Sequence, residues 1–456
     1  MHVSNFYDRP WSRALLAACL LAGSSGTSWA GITNATQVVT EPALALPAPS
    51  TPYNDPAFGT PTVRIGDPKA MGLTQLRPEY SQLQAWNASM SMLLVNTVII
   101  LDAKTFQRLH KIDFGWPATG SALRWSPTEP LSLYYAGTGV TGCSGAALMR
   151  YRLIVTGTPI QGQRELVRCF PEYTQFNKNA SWEELSDDGR FIGLVGRRSD
   201  GTYDGFVYDI VNNVKHGILQ RAFFEWLSPS PSGKYVVVNW GGGGDARYTG
   251  VEAFDLEMRY LGKIATGHGH ADLAIDKDGT EWYIDYSPDN YAGITGKVLK
   301  KNRLPNGYDA YKAGDKTAIV TLLEFETWTN NVHISCRNPK AGWCGVTTYG
   351  GGGDGRQPFD QEIFAIYFDS TPAAPHVDRL AHHRSITSSS TCNITSYWAQ
   401  PHATVSPDAT RIFFGSNWGR ICDTSEPVDG FILALPTITA PADKIAPKAP
   451  TGLRVR

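Results

Sequence analysis

The sequence predicts an all-β chain, a seven-bladed β-propeller with an N-terminal signal peptide and flexible ends. Three observations predict it. A turn related to Ser-Pro-Asp-Gly recurs seven times, at spacings from about 39 to 69 residues. A short alternating apolar run follows each turn, and no long stretch carries helical periodicity. Period-2 strands in repeats of this size are the sequence signature of propeller blades. Composition agrees: 42% of the 456 residues are hydrophobic and 18% charged, with Lys+Arg 41 against Asp+Glu 42. The net charge of -1 provides no field to collect nucleic acid or an anionic membrane. A long coiled coil and a helical membrane bundle are excluded too.

The first thirty residues read as an export signal. Arg9 and Arg13 precede an apolar run over 14–23, and Ser28-Trp29-Ala30 supplies a small-x-small cleavage site. The run is short of the roughly 20 apolar residues that span a bilayer. Leu16-Ala17-Ala18-Cys19 also fits a lipoprotein cleavage box, so that alternative stays open. The expected product is secreted or periplasmic and monomeric, with no membrane span and no nucleic-acid partner. Cleavage after Ala30 leaves six cysteines, an even count that favours disulfides in an oxidising compartment. Pairing of sequence neighbours gives Cys143–Cys169, Cys336–Cys344 and Cys392–Cys422.

Residues 31–61 are rich in Pro, Thr and Ala and read as a linker or extended arm, and 437–456 as a flexible tail. The propeller is expected over 62–436. Its turns begin at Asn87, Ser126, Ser186, Ser230, Asp276, Arg337 and Ser406. In such turns Pro presets φ, Asp bonds its own backbone and Gly supplies positive φ. Strands follow at 131–135, 191–195, 235–239, 282–285, 345–349 and 412–415, with a longer one over 92–101 in the first repeat. Residues 62–65 are expected to close the ring by pairing into the last blade.

In a blade, the residues that open the inner strand and the connection between the second and third strands share one face. Counting four residues back from each turn gives Leu83, Ala122, Trp182, Trp226, Asp272, His333 and His402. His268 and His270 stand two residues apart just before Asp272, and period 2 puts all three on one side of an extended segment. Gln400 stands two residues before His402. Neutral imidazoles gathered from neighbouring strands suit a metal ion or a general base, although any one of them alone may equally cap a strand. His110, His216, His376, His382 and His383 read as peripheral.

A second signal lies in the expected top-face connections. Trp240-Gly241-Gly242-Gly243-Gly244-Asp245-Ala246-Arg247 matches Tyr349-Gly350-Gly351-Gly352-Gly353-Asp354-Gly355-Arg356. Four glycines let the backbone approach a ligand. Asp245 and Asp354 suit the loop itself, a Ca²⁺ ion or a substrate, and Arg247 and Arg356 suit a carboxylate. Trp240, Tyr349 and Trp418 sit at strand ends where a sugar face would stack. The Gly-Lys-Ser/Thr of a nucleotide loop and the Gly-x-Ser-x-Gly of a serine hydrolase are both missing.

The turn series over residues 62–436 resembles the Tol-associated periplasmic propeller and the propeller polysaccharide lyases. The clustered His, loop Arg and aromatics are similar to the pattern of oligogalacturonate lyases and ulvan lyases. That resemblance implies β-elimination of an anionic polysaccharide or oligosaccharide, assisted by a divalent metal, typically manganese, with calcium and zinc also open. It implies His270, His333, Gln400 and His402 as metal ligands and His268 or Tyr349 as the base. Arg247, Arg337 or Arg356 would clamp the uronate carboxylate, and Trp240, Asp245, Asp354 and Trp418 would bind substrate. A non-catalytic carbohydrate- or protein-binding propeller remains the alternative, as does another propeller enzyme such as a hydrolase.

Overall fold

The computed structural model describes residues 32–114, 123–157, 159–177, 184–267, 269–287, 297–325, 331–339, 341–350, 357–389, 394–422 and 427–435. Among the described residues seven antiparallel sheets of three to five strands follow one another around a ring, and an eighth, two-stranded sheet pairs Ser388–Ser389 with Ile394–Thr395. Blade 2 is typical, with strands Arg124–Trp125, Ser132–Gly137, Ala146–Ile154 and Gln161–Phe170. Blade 4 runs Trp226–Pro229, Val236–Asn239, Val251–Phe254 and Tyr260–Ala265. Blades 5 and 6 open with His270–Ile275 and Asn331–Ser335, and blade 7 with Thr404–Val405. A short helix, Gly307–Lys312, interrupts blade 5 before its last strand.

The recurring turns form as their chemistry dictates. In blade 3 Gly189 sits at φ +72° and donates to the Ser186 carbonyl at 2.8 Å, while the Ser186 hydroxyl meets Asp188 at 2.6 Å. Blade 7 puts Ala409 at the equivalent position, at φ +57°, where a Cβ is strained. Blade 6 departs by one residue. Ala341 N donates to Asn338 O, so the turn begins at Asn338 and not at Arg337.

The single long strand expected over 92–101 is two strands, Met92–Val95 and Ile99–Asp102. Asn96 and Thr97 between them have φ of +47° and +66°, the two left-handed residues of a tight hairpin whose twist matches its strands. Both strands are buried and read as apolar runs without alternation, so the polar pair Asn96-Thr97 between them was the one break the sequence offered.

The core lies between successive sheets. Ile284 and Leu299 of blade 5 pack with Val332, Val346 and Phe364 of blade 6, and Trp86 and Leu93 of blade 1 pack with Phe413 of blade 7. Each such side chain contributes about 1.5–3 kcal/mol by leaving water. The ring closes where Pro61–Arg64 pairs with Asp429–Ala434, in the register Thr62↔Leu433, Val63↔Ile432 and Arg64↔Phe431. Arg64 also donates to the buried Asp429 at 2.8 Å.

Upstream of that strand the chain is laced onto blades 6 and 7. Arg379 donates to the carbonyls of Asn34 (2.9 Å) and Gln37 (2.6 Å), and it pairs with the buried Glu362. His382 Nε2 meets the Val39 carbonyl at 3.1 Å, and Trp418 Nε1 donates to the Leu44 carbonyl at 3.0 Å. Disulfides join Cys143 to Cys169 and Cys336 to Cys344. Cys422 is also disulfide-bonded, and Cys392 lies outside the described residues.

Candidate functional site

The start of an inner strand delivers side chains to one mouth of the ring. His270 is the first residue of the inner strand of blade 5, His333 the third of blade 6, and His402 stands two residues before that of blade 7. The structure brings these three together. The ring centroids of His270 and His333 are 4.9 Å apart, and those of His333 and His402 are 4.4 Å apart. Gln400 joins them, its Oε1 2.8 Å from His333 Nε2. Tyr349 ends the second strand of blade 6 and stacks on His333, with centroids 4.5 Å apart and an interplanar angle of 10°. His402 holds φ +45°, a left-handed backbone immediately after Pro401. Strain of this kind costs about 1–3 kcal/mol and gathers at functional sites.

Electrostatics make these imidazoles neutral. Burial holds His333 and His402 well below the usual histidine range. Neighbouring charge adds to that, from His402 and His270 on His333 and from Arg77 and His270 on His402. Burial lowers His270 as well. The same burial pushes the Tyr349 phenol up, so it keeps its proton. Neutral imidazole is the form that binds a cation or accepts a proton.

The donor set fits a divalent cation by residue type: three imidazoles and an amide oxygen. Nδ1 of His270 and His333 and both ring nitrogens of His402 are buried without a hydrogen-bond partner. Orphaned buried nitrogens are costly unless something satisfies them. Among the described residues, however, no three His, Cys, Asp or Glu side chains stand in finished metal-binding geometry. The rings stack and tilt against each other, and the His333–Gln400 contact occupies one nitrogen.

Other sequence candidates go elsewhere. Arg337 lies beyond the far end of the blade 6 inner strand and pairs with the buried Asp272. Its charge acts on Asp272, Glu184 and Asp187. Those residues belong to the opposite end of the channel, where Gln84, Trp86, Trp125, Glu184, Asp187 and Arg337 line a cavity beside the recurring turns. Asp272, held up to about 6 by burial, therefore belongs to this lower layer and not to the histidines.

Arg247 is turned to the rim of blade 4, pairing with Glu252 at 3.1 Å and lying 3.5 Å over the Tyr260 ring. Asp245 accepts from Tyr308 at 2.7 Å and pairs with Lys312, both on the short helix. Trp240 is a core residue whose Nε1 donates to Glu252 at 3.1 Å. Trp418 stacks on Phe431 and holds the N-terminal arm. These four meet protein partners: Arg247 and Trp240 within blade 4, Asp245 on the helix of blade 5, and Trp418 on blade 7 and the N-terminal arm. His268, Asp354 and Arg356 lie outside the described residues.

Counting along the repeat missed four neighbours. Tyr80 lies 5.2 Å, ring to ring, from both His333 and His402. Arg77 is the guanidinium whose charge reaches His402. Both lie on the segment that crosses from the closing strand to blade 1, which has no equivalent in the other repeats. Tyr397, 5.0 Å from His402, and Trp398 precede Gln400 on a single 3₁₀ turn. Their proximity to Gln400 in the sequence was the available signal.

The fold superposes on an oligogalacturonate lyase solved in complex with manganese, with a TM-score of 0.57 and 14% identity, covering 85% of this chain and 96% of that one. An oligogalacturonate lyase from Vibrio parahaemolyticus gives 0.56 and 12%, over 85% and 97%. The chain is thus a seven-bladed propeller similar in fold to oligogalacturonate lyases. TolB from Acinetobacter baumannii also matches, at a TM-score of 0.36 and 12% identity over 74% of this chain and 75% of that one, too loose a fit to distinguish anything. No protein-family model matches the sequence, and no curated protein sequence matches it.

Proposed function

We propose that this chain is an exported propeller that cleaves an acidic polysaccharide by β-elimination at the mouth formed by His270, His333, Gln400 and His402. The observation that carries the reading is the meeting of three neutral imidazoles from three blades, two of them buried and His270 half-buried, beside a protonated tyrosine. The likeness in fold to oligogalacturonate lyases supports it. The two described disulfides suit an oxidising compartment. Among the described residues, no helix is long and apolar enough to cross a membrane.

In such a reaction a base takes the proton α to the uronate carboxylate. The electron pair forms the C4–C5 double bond, the C4–O4 bond breaks, and the departing oxygen takes a proton. Tyr349 is suited to supply that last proton, because burial keeps its phenol protonated. Of the two bases assigned from sequence, His268 lies outside the described residues, and burial keeps the proton on the other, Tyr349. The four ligands would hold a divalent cation, manganese before calcium or zinc, which supplies charge neutralisation at the carboxylate. The low-dielectric wall around the imidazoles strengthens that attraction.

The test is incubation of the purified protein with a panel of uronate polysaccharides, with and without added manganese, following absorbance of the unsaturated product. Metal-dependent appearance of that product is expected. Binding of the glycan without any new double bond would make the chain a binding propeller instead.

A further inference from the structure

Two aromatic side chains beside the histidines are left open to solvent. Tyr397 is 44% exposed and Trp398 41%, on the 3₁₀ turn Tyr397–Ala399. Their rings meet edge to face at 4.9 Å, and Tyr397 lies 5.0 Å from His402. Adjacent exposed aromatics at the edge of a site form a contiguous surface on which a ligand ring can rest. Beneath Trp398, 4.0 Å from its ring centroid, lies the guanidinium of Arg77. Arg77 is itself buried and fixed. Its Nε donates to Gln75 at 2.8 Å, and its Nη1 donates to the carbonyls of Pro78 (2.7 Å) and Glu79 (3.0 Å). One ring face is therefore held by a cation that cannot swing away.

We propose that Trp398, flanked by Tyr397 and backed by Arg77, is the stacking platform for an acidic sugar unit next to the one held at the histidines. This inference rests on the functional reading above and names a substrate-binding element for it. Three features favour a uronate. A flat, rigid ring matches the apolar C–H face of a pyranose and loses little entropy on binding. The fixed positive charge of Arg77 draws an anionic ring toward that face and does not draw a neutral one. The chain from Tyr397 through Gln400 to His402 is continuous, so one short segment sets the platform and two of the four candidate ligands in mutual register.

The test compares the intact protein with Trp398→Ala and Trp398→Phe, titrated calorimetrically with trigalacturonate and with neutral maltotriose. Trp398→Ala is expected to weaken trigalacturonate binding by about tenfold, the worth of one aromatic contact. Trp398→Phe should keep most of the affinity and of the melting temperature, since a ring still covers Arg77. Maltotriose should bind far more weakly than trigalacturonate. A Trp398→Ala protein that binds and cleaves uronates as the intact one does would overturn the platform while leaving the lyase reading intact. An intact protein that binds no uronate oligosaccharide at all would overturn that reading, and this inference with it.

Discussion

His333 Nε2 lies 2.8 Å from Gln400 Oε1, across 67 residues of sequence and from one blade to the next. The amide oxygen only accepts, so it fixes the imidazole proton on Nε2 and leaves Nδ1, buried and without a partner, as the bare lone pair. Gln400 thus sets the tautomer of the central histidine. Replacing Gln400 with Leu keeps the volume and removes the oxygen. Manganese affinity, measured by calorimetry on the purified protein, should fall by at least about 10–100-fold, because the variant loses a proposed ligand as well as the group that orients His333. Unchanged affinity would show that the amide plays no part at the centre.

Tyr349 offers a separable test, because its ring and its hydroxyl do different things. The ring stacks on His333, while the hydroxyl carries a proton that burial holds in place. In Tyr349→Phe the stack remains and the proton is gone. The expected result is a kcat lower by about 10²–10³-fold, in the range for loss of a general acid, with oligouronate affinity and melting temperature nearly unchanged. A fall in affinity with kcat intact would assign Tyr349 to binding alone.

His382 contributes to the acid sensitivity of the fold on a different flank of the molecule, beside His383, which burial lowers further. Burial holds His382 down to about 4, and its Nε2 meets the Val39 carbonyl of the N-terminal arm. The unfolded chain takes up this proton near the ordinary value of about 6.5, so folding opposes protonation between the two values. Stability is therefore full above the upper value and is lost as pH falls toward the lower one. His382→Gln should make the drop in unfolding free energy between pH 7 and pH 5 smaller by about 2 kcal/mol, read from denaturant titrations. An identical drop in both proteins would contradict the assignment.

Ala409 marks a repeat position where glycine would be at ease. At φ +57° its Cβ is strained, whereas Gly189 and Gly233 take the same turn at +72° and +73° without one. Ala409→Gly should raise stability by about 1 kcal/mol, the cost of an L-residue in the left-handed region. A lower melting temperature would mean that the unfolded-state entropy of glycine outweighs the relief.

Much of this architecture was legible because turn chemistry is local. Ser186, Ser230 and Ser406 announce their turns by residue type alone, and counting back from such turns led to His333 and His402. His333 was reached although its own turn starts one residue later than supposed, since neighbouring inner strands converge whatever the offset. The glycine-rich loop after Trp240 was the less informative signal for a physical reason: a flexible backbone says where a chain can bend, not what its side chains will meet; most of its counterpart after Tyr349 lies outside the described residues. Arg247 found Glu252 and Tyr260, and Trp240 found the core. Tyr80 and Arg77 were not legible, because they lie on the single crossing that joins the closing strand to blade 1. No repeat position corresponds to that crossing.

The central claim is that imidazoles from three blades and one amide form a single cation centre. Anomalous diffraction from crystals grown with manganese tests it most directly. The account predicts one strong manganese peak within bonding distance, about 2.0–2.3 Å, of His333 and His402, and its loss in His333→Ala crystals. Manganese seated only at other side chains, or a cluster that stays metal-free at saturating manganese, would contradict it.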